Sequence, residues 1–400
     1  MKIVIAHNRY RSELPSGENV MVDLDIAQLR AAGVNILPFL RDSDNIATMS
    51  AGAKALLPLS PIYNGPAQRE LAALLRAERP DVLHLHNPYP LLSPWVVRTA
   101  HAHGVPVVQT VHNYRQVCSP GLYFRDGHVC VDCRGRTIGW PGVIHGCYRG
   151  SRAQSAVMAT ALAAHRPTWR SVDRYIALTS AIAEHLRSYG IPADRIVVKP
   201  NSIPDPGPPP ALGDGFLFYG RFAPEKGLSL LLDAWRRRPD GALGPLRIAG
   251  DGEQRPLVEA IAAERDDVTY LGPLDRDGVR AALTASAVVL AVPTWHDVLP
   301  TVVIEALAYG RPVLGTDLGG VPYLVGADQA SDGRASGLRR GVAGWVTAPD
   351  PQSLADALAT VRAEAPALAA AARARYDHTF HPDVVLTRLL ATYRDLAAAS

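Results

Sequence analysis

An α/β fold built twice is predicted by three features of this chain. Short β-branched runs alternate with Ala/Leu-rich stretches, that order recurs in both halves, and a Pro/Gly-rich break separates them. Strand, helix and strand in succession build a parallel sheet. Two such series give two Rossmann-like domains whose sheets face a central cleft at the carboxyl ends of their strands. The 400 residues are 48% hydrophobic with a mean hydropathy of +0.01. That is roughly two or three domains' worth of chain, enough to bury large cores.

In the first half, strands are expected at 2–6 (KIVIA), 34–37, 82–86 (VLHLH), 105–110 (VPVVQT), 175–179 (YIALT) and 196–199 (IVVK). Helices are expected between them over 19–32, 68–78, 93–103 and 180–189. Residues 200–210, PNSIPDPGPPP, sustain neither a helix nor a central strand, and 201–214 reads as an interdomain linker. The second series has strands at 216–219, 246–249, 268–271, 287–292 and 313–315, again separated by helices. The resulting organisation is a first domain over 1–200 with an insertion at 112–150, a second over 215–375, and a terminal segment, 376–400. Within that segment 381–399 has apolar positions at helical spacing and is expected to pack back across the cleft.

Charge and hydropathy exclude several classes. The net charge of +3 and pI of about 8.7 come from Lys and Arg spread along the chain, which gives no support to nucleic acid binding. The longest apolar runs, such as 286–293, fall far short of the ~20 residues that span a bilayer. The opening MKIVIA is too short for a signal-peptide core, so a cytoplasmic protein with at most peripheral membrane contact is expected. Arginines at 149, 152, 166, 170 and 174 suit a membrane surface, but a solvated helix face explains them equally.

The most chemical stretch opens two helices of the second half. Gly220-Arg221-Phe222-Ala223-Pro224-Glu225-Lys226-Gly227 carries fixed cations to one helix start, and DVLPTVVIEALAYG, from Asp297 to Gly310, brings two carboxylates to the other. Backbone N–H groups and the positive end of a helix dipole suit phosphate, Arg221 and Lys226 add full charges, and carboxylates accept from sugar hydroxyls. Together they suit a nucleotide diphosphate sugar. Thr301 and Val302 would offer free N–H groups at the second helix start.

These motifs make the chain resemble the retaining glycosyltransferases of family 4, which have the two-domain GT-B architecture. The resemblance covers most of the chain and is strongest from Gly220 to Val325. It implies that Arg221 and Lys226 hold the donor diphosphate, that Glu305 takes the ribose hydroxyls and that Asp297 faces the donor sugar. It places the nucleobase near Leu271, held by backbone groups. Asp297 stands where the family has Glu and reaches ~1.5 Å less far; either the loop 293–300 moves inward or the sugar differs. Tyr323 stands where relatives commonly carry an acidic residue. The residues near the diphosphate are cations with no carboxylate pair placed to bridge a metal, so no catalytic metal is expected.

Weaker signals surround these. Gly250, at the end of Ile248-Ala249-Gly250-Asp251-Gly252, reads either as donor-binding or as a plain βα turn. Gly17, in Pro15-Ser16-Gly17-Glu18-Asn19, would let the diphosphate approach the backbone. His112 follows a strand, where the family also has a His, and is placed to bond the donor sugar or to act on the leaving side. His86 alternates with His84 along one strand and is expected to face the cleft.

All four cysteines, Cys118, Cys130, Cys133 and Cys147, fall within the insertion, and Cys130-Val131-Asp132-Cys133 has the spacing of a zinc knuckle. Four thiolates closing a structural zinc site is the first reading; free thiols are the second, and redox chemistry the last. Arg115 and Tyr123 are acceptor candidates, since such side chains stack on and hydrogen-bond a polyhydroxylated acceptor; packing the insertion against its domain is the alternative. The reading of the whole is a retaining transferase that moves a sugar from a nucleotide diphosphate donor to a hydroxyl-bearing saccharide or natural-product acceptor. The alternatives are a sugar-nucleotide epimerase of the same fold and a catalytically inactive sugar-nucleotide-binding module.

Overall fold

The computed structural model of the protein describes residues 1–13, 16–327 and 337–399. The first series contains β1 (Lys2–Arg9), β2 (Asn35–Asp42), β3 (Val82–Leu85) and β4 (Val107–Val111). After an inserted hairpin of β5 (Phe124–Arg125) and β6 (His128–Val129), it ends with β7 (Arg174–Ala177) and β8 (Ile196–Val198). The sheet runs β2-β1-β3-β4-β7-β8 and is parallel throughout. Helices cover both of its faces, so its strands are apolar on both sides; in β1 every residue from Ile3 to Asn8 is buried. Ser16 and Thr179 cap the helices Gly17–Ala31 and Ser180–Tyr189 by accepting from the N–H groups of Asn19 and Ile182. The helix expected over 93–103 is shorter, Val96–His101. Pro94 disfavours helical φ/ψ at the residue before it, and Ser93 sits at φ +65°.

The second series contains β9 (Phe216–Arg221), β10 (Leu246–Asp251), β11 (Val268–Gly272), β12 (Val288–Ala291), β13 (Val313–Thr316), β14 (Arg339–Arg340) and β15 (Gly344–Thr347). Among the described residues their order is β11-β10-β9-β12-β13-β15-β14, with only β14 antiparallel. β9 and β10 run further than their apolar stretches suggest, because Gly220 pairs with Gly250 and Arg221 with Asp251. A Cβ at Gly250 would lie 1.9 Å from the Gly220 carbonyl oxygen, so glycine permits the extension that carries Arg221 to the carboxyl edge of the sheet. The strand order reverses between β9 and β12, which places a crevice at their carboxyl ends.

The Pro/Gly-rich connection is held in place by two arginines. Arg311, 1% exposed, donates to the carbonyls of Pro210, Ala211, Leu283, Thr284 and Tyr309. Arg373 donates to the carbonyls of Gly207 and Ala308 and to Asp205. Beyond the helix Pro351–Arg375 and the turn Tyr376–Phe380, the helix Pro382–Ala399 reaches the first sheet. There Leu389, Tyr393 and Leu396 pack with Ile3, Ile5, Val82 and Ile176. Tyr393 also hydrogen-bonds His84 Nδ1 through its hydroxyl at 2.6 Å. Among the described residues no helix is long and apolar enough to cross a membrane.

Candidate active site

A cavity of about 150 Å3 opens where the strand order of the second sheet reverses, lined by Tyr219, Arg221, Lys226, Asp297, Thr301 and Val302 among others. Lys226 ends the turn Pro224–Lys226, and Gly227 follows at φ +78°. A Cβ at Gly227 would lie 1.8 Å from the Val292 carbonyl oxygen, so the turn packs on the end of β12 only with glycine there. The loop after β12 leans onto the same turn: Thr294 donates its N–H to the Glu225 carbonyl at 3.0 Å and its hydroxyl to the Pro224 carbonyl at 3.2 Å. This inward lean brings Asp297 Oδ2 to 2.6 Å from Lys226 Nζ despite its short side chain. Gly319 and Gly320 cradle the Asp297 backbone; the Gly320 N–H donates to its carbonyl at 2.7 Å, and a Cβ at Gly319 would meet that oxygen at 2.2 Å.

Each cation that the sequence assigns to an anion is thus paired with a carboxylate. Arg221 meets Glu225 at 2.8 Å and stays exposed, whereas Lys226 meets Asp297 and lies over the Trp295 ring at 5.6 Å. An incoming anion would exchange one partner for another. Pro300 provides no side-chain cap to the helix Thr301–Ala308, which keeps its N-terminal end turned to the same cavity. Glu305, one turn further on, accepts from the Tyr219 hydroxyl at 2.8 Å. Burial raises the carboxyl's pKa and the tyrosine bond opposes it. Tyr219 is the residue that sequence reasoning missed, since in Phe216-Leu217-Phe218-Tyr219 it looks like one more core aromatic. Tyr219→Phe is expected to lower unfolding free energy by about 1 kcal/mol and to raise the Glu305 pKa further, read by denaturant unfolding and carboxyl NMR titration.

The first domain contributes a second, more buried group of side chains. His112 lies at the end of β4 with Nε2 at 2.9 Å from His86 Nδ1, and the rings stack at 5.2 Å. Burial pushes the His112 pKa down to about 3, with His7 and Lys199 adding to it. It is therefore neutral near pH 7 and can offer a hydrogen bond there, but not act as a charged acid. Gly17 is the first residue of a helix and not part of a loop; Pro15 lies outside the described residues. Beside it Glu18 accepts from the Tyr10 hydroxyl, and burial lifts its pKa to about 7 against the pull of Arg115. Nothing in the sequence marks Glu18 as inward-facing.

Several expectations need correcting. Tyr123 is 4% exposed, stacked on Tyr114 at 4.6 Å with its hydroxyl 3.3 Å from His185 Nδ1, so it packs the insertion and does not present itself to an acceptor. Arg115 is half-buried, over the Tyr89 ring at 5.8 Å and bonded to Asn87 and Pro120, yet its buried Nε lacks a partner. Gly250 permits the pairing of β9 with β10, and Leu271 stands on the edge strand β11; both remain proposals for donor binding. His86, though buried against His112, lines a small cavity with Glu18, His112 and Arg115. Tyr323 packs between Phe380 and the Arg375 guanidinium.

Two family models match the chain in succession: a Glycosyl transferase 4-like domain over residues 16–202 and Glycosyl transferases group 1 over residues 213–364. The protein belongs to the group 1 glycosyltransferases. It is 26% identical to a phosphatidyl-myo-inositol mannosyltransferase of Mycobacterium leprae, across 98% of this chain and 96% of that one. It is 27% identical to a D-inositol 3-phosphate glycosyltransferase of Saccharomonospora viridis, across 96% and 90%. Its fold matches that of Anabaena HepE, solved in complex with UDP, with TM-score 0.63 at 17% identity over 99% and 100% of the two chains. The glycosyltransferase thus has the GT-B fold, two parallel-sheet α/β domains about a cleft. The rings of Tyr114 and His296, 6.4 Å apart, meet across that cleft beside Asp297.

Proposed function

We propose that this glycosyltransferase moves a sugar, with retention of anomeric configuration, from a nucleoside diphosphate sugar to a hydroxyl of a polyhydroxylated acceptor. The observation that carries the reading is the convergence of Arg221, Lys226, Asp297 and the uncapped start of Thr301–Ala308 on one cavity at the strand-order reversal. The fold shared with a protein solved with UDP supports the donor class.

In this reading the diphosphate takes Lys226 from Asp297 and Arg221 from Glu225, and the freed Asp297 turns to the sugar hydroxyls. Glu305, oriented by Tyr219, accepts from the ribose. The bond from the anomeric carbon to the diphosphate oxygen breaks while the acceptor oxygen bonds the same face of that carbon. The acceptor proton passes to the departing diphosphate oxygen, whose charge Arg221, Lys226 and the helix start stabilise. No covalent enzyme intermediate is needed.

The test is a panel of nucleoside diphosphates and their sugars in thermal unfolding, followed by NMR of the product formed with the stabilising donor. At a hundredfold excess over Kd, about 2.7 kcal/mol of stabilisation is expected from one nucleotide and little from the others. A product of inverted configuration would overturn retention. Donor turnover without any acceptor-linked product would favour an epimerase, and binding without turnover, unrescued by Asp297→Glu, a binding module.

A further inference from the structure

We propose that the cysteines of the insertion form a structural zinc site that staples this segment against the first domain. Cys118, Cys130, Cys133 and Cys147 come from four separate local segments yet line one small cavity, together with Tyr123 and Gly142. Its volume of about 20 Å3 holds one ion or water and no larger ligand. Cys118 follows a turn closed by its N–H on the Tyr114 carbonyl, and Cys130 directly follows β6, its N–H bonded to the Tyr123 carbonyl. Cys133 sits in the turn closed by the Arg134 N–H on the Val131 carbonyl, and Cys147 follows the short helix Trp140–Ile144. Four local segments thus bring their cysteines to one cavity.

The surroundings favour thiolates held by a cation. Backbone N–H groups of Tyr123, Leu122 and Gly121 are directed at the Cys118 sulfur, that of Gly142 at Cys133, and the Arg125 side chain at Cys147. Donors of this kind stabilise a charged sulfur. A dication among the four sulfurs would add the counter-charge that these donors only partly supply. Gly139 and Gly142 face Cys133, where a Cβ would come within 3.3 and 3.6 Å of its sulfur, so glycine leaves the thiol room to turn. Such turning is required, because among the described residues no three ligating side chains stand ready as a coordination group.

A second observation is the apolar exposure of the segment. Leu122, Val131, Ile138, Trp140 and Ile144 are all exposed, 37% to 61%. Tyr123 ties one part of the stretch to the core, while these five side chains add no burial, so a further tie would contribute to its order. Four thiols fit tetrahedral zinc, with each ligand losing one proton to solvent and the ion keeping its oxidation state. The staple would fix Tyr123 on Tyr114, and through Tyr114 the wall of the cleft opposite His296.

The experiment is elemental analysis of the full chain after tag removal, with cobalt replacement and thiol titration. About one zinc per chain is expected, released by a mercurial, together with the intense visible bands of a tetrahedral cobalt thiolate after exchange. Cys130→Ser with Cys133→Ser should bind neither ion, and circular dichroism reports whether that variant folds. If it does not fold, the wild-type stoichiometry and cobalt spectrum still decide. Wild type that holds no zinc and gives no cobalt thiolate spectrum overturns the site, whether its thiols titrate freely or its mass shows disulfides.

Discussion

Lys226→Ala is expected to lower turnover about 100- to 1,000-fold and to abolish stabilisation by the nucleotide that stabilises the wild type. The side chain has two partners in succession. In the free protein it meets Asp297 at 2.6 Å, where Asp297 is 7% exposed, so the variant leaves a nearly buried carboxylate without its cation. That costs about 1–3 kcal/mol of stability before any donor is added. The structural cost and the loss of donor binding separate in a double-mutant cycle. Adding Asp297→Ala removes the stranded carboxylate and should return most of the lost unfolding free energy, but should return no nucleotide response. If the double variant regains both, Lys226 serves only the ion pair and the diphosphate assignment fails.

The short side chain at 297 holds the cation that the proposed diphosphate would take. The 293–300 loop is drawn onto the 223–226 turn by Thr294, and the carboxylate reaches the ammonium that the diphosphate would use. Asp297→Glu tests whether that contact limits donor entry. A longer side chain would overshoot Lys226 and reach further into the cavity, so a lower donor KM is expected; an unchanged KM would say that the pair opens without cost.

What was legible in the sequence followed from backbone demands and local charge. Gly227 is dictated by a left-handed turn against Val292, and the neighbouring Arg221 and Lys226 follow from the same short segment. Parallel strands buried on both faces announce themselves as apolar runs. Side-chain direction was not legible. Tyr219 lies in such a run and only the pairing of β9 with β12 turns its hydroxyl to Glu305. Tyr123 reads as an exposed loop aromatic, but its φ of +51° folds it inward onto Tyr114. The strand β15, four residues between Ala343 and Ala348, gains its place from its neighbours in the sheet, above all β13, a long-range pairing that no local pattern encodes. Arg311 and Arg373 likewise look like surface cations until the linker carbonyls they hold are seen.

Unfolding free energy is expected to fall steeply as pH drops from 6.5 to 5, because the first domain buries histidines in their neutral form. Burial takes His7 down to about 4 and His112 to about 3, and holds His84 and His86 well below the ordinary imidazole range; Lys199, buried nearby, adds repulsion. A group whose folded pKa is depressed contributes stability that is complete above its unfolded pKa, about 6.5 for histidine, and is lost as pH falls toward the folded value. Here the unfolded chain takes up protons that the folded one refuses. Glu18 and Asp25 work in the opposite sense, since burial raises both: each binds more protons folded than unfolded, Glu18 up to about pH 7. His185, taken down to about 4, with His165 and His296 adds to the four imidazoles, and Glu305 to the carboxyls, which leaves a net proton uptake on unfolding and a stability that falls with pH across this window. Chemical denaturation at pH 6.5, 6.0, 5.5 and 5.0 measures the slope. Glu18→Gln should steepen it, by removing one opposing group, and His112→Gln should flatten it. A wild-type slope of zero or of the opposite sign would mean that these histidines are solvated or paired, and that the tight His86–His112 contact does not persist in solution.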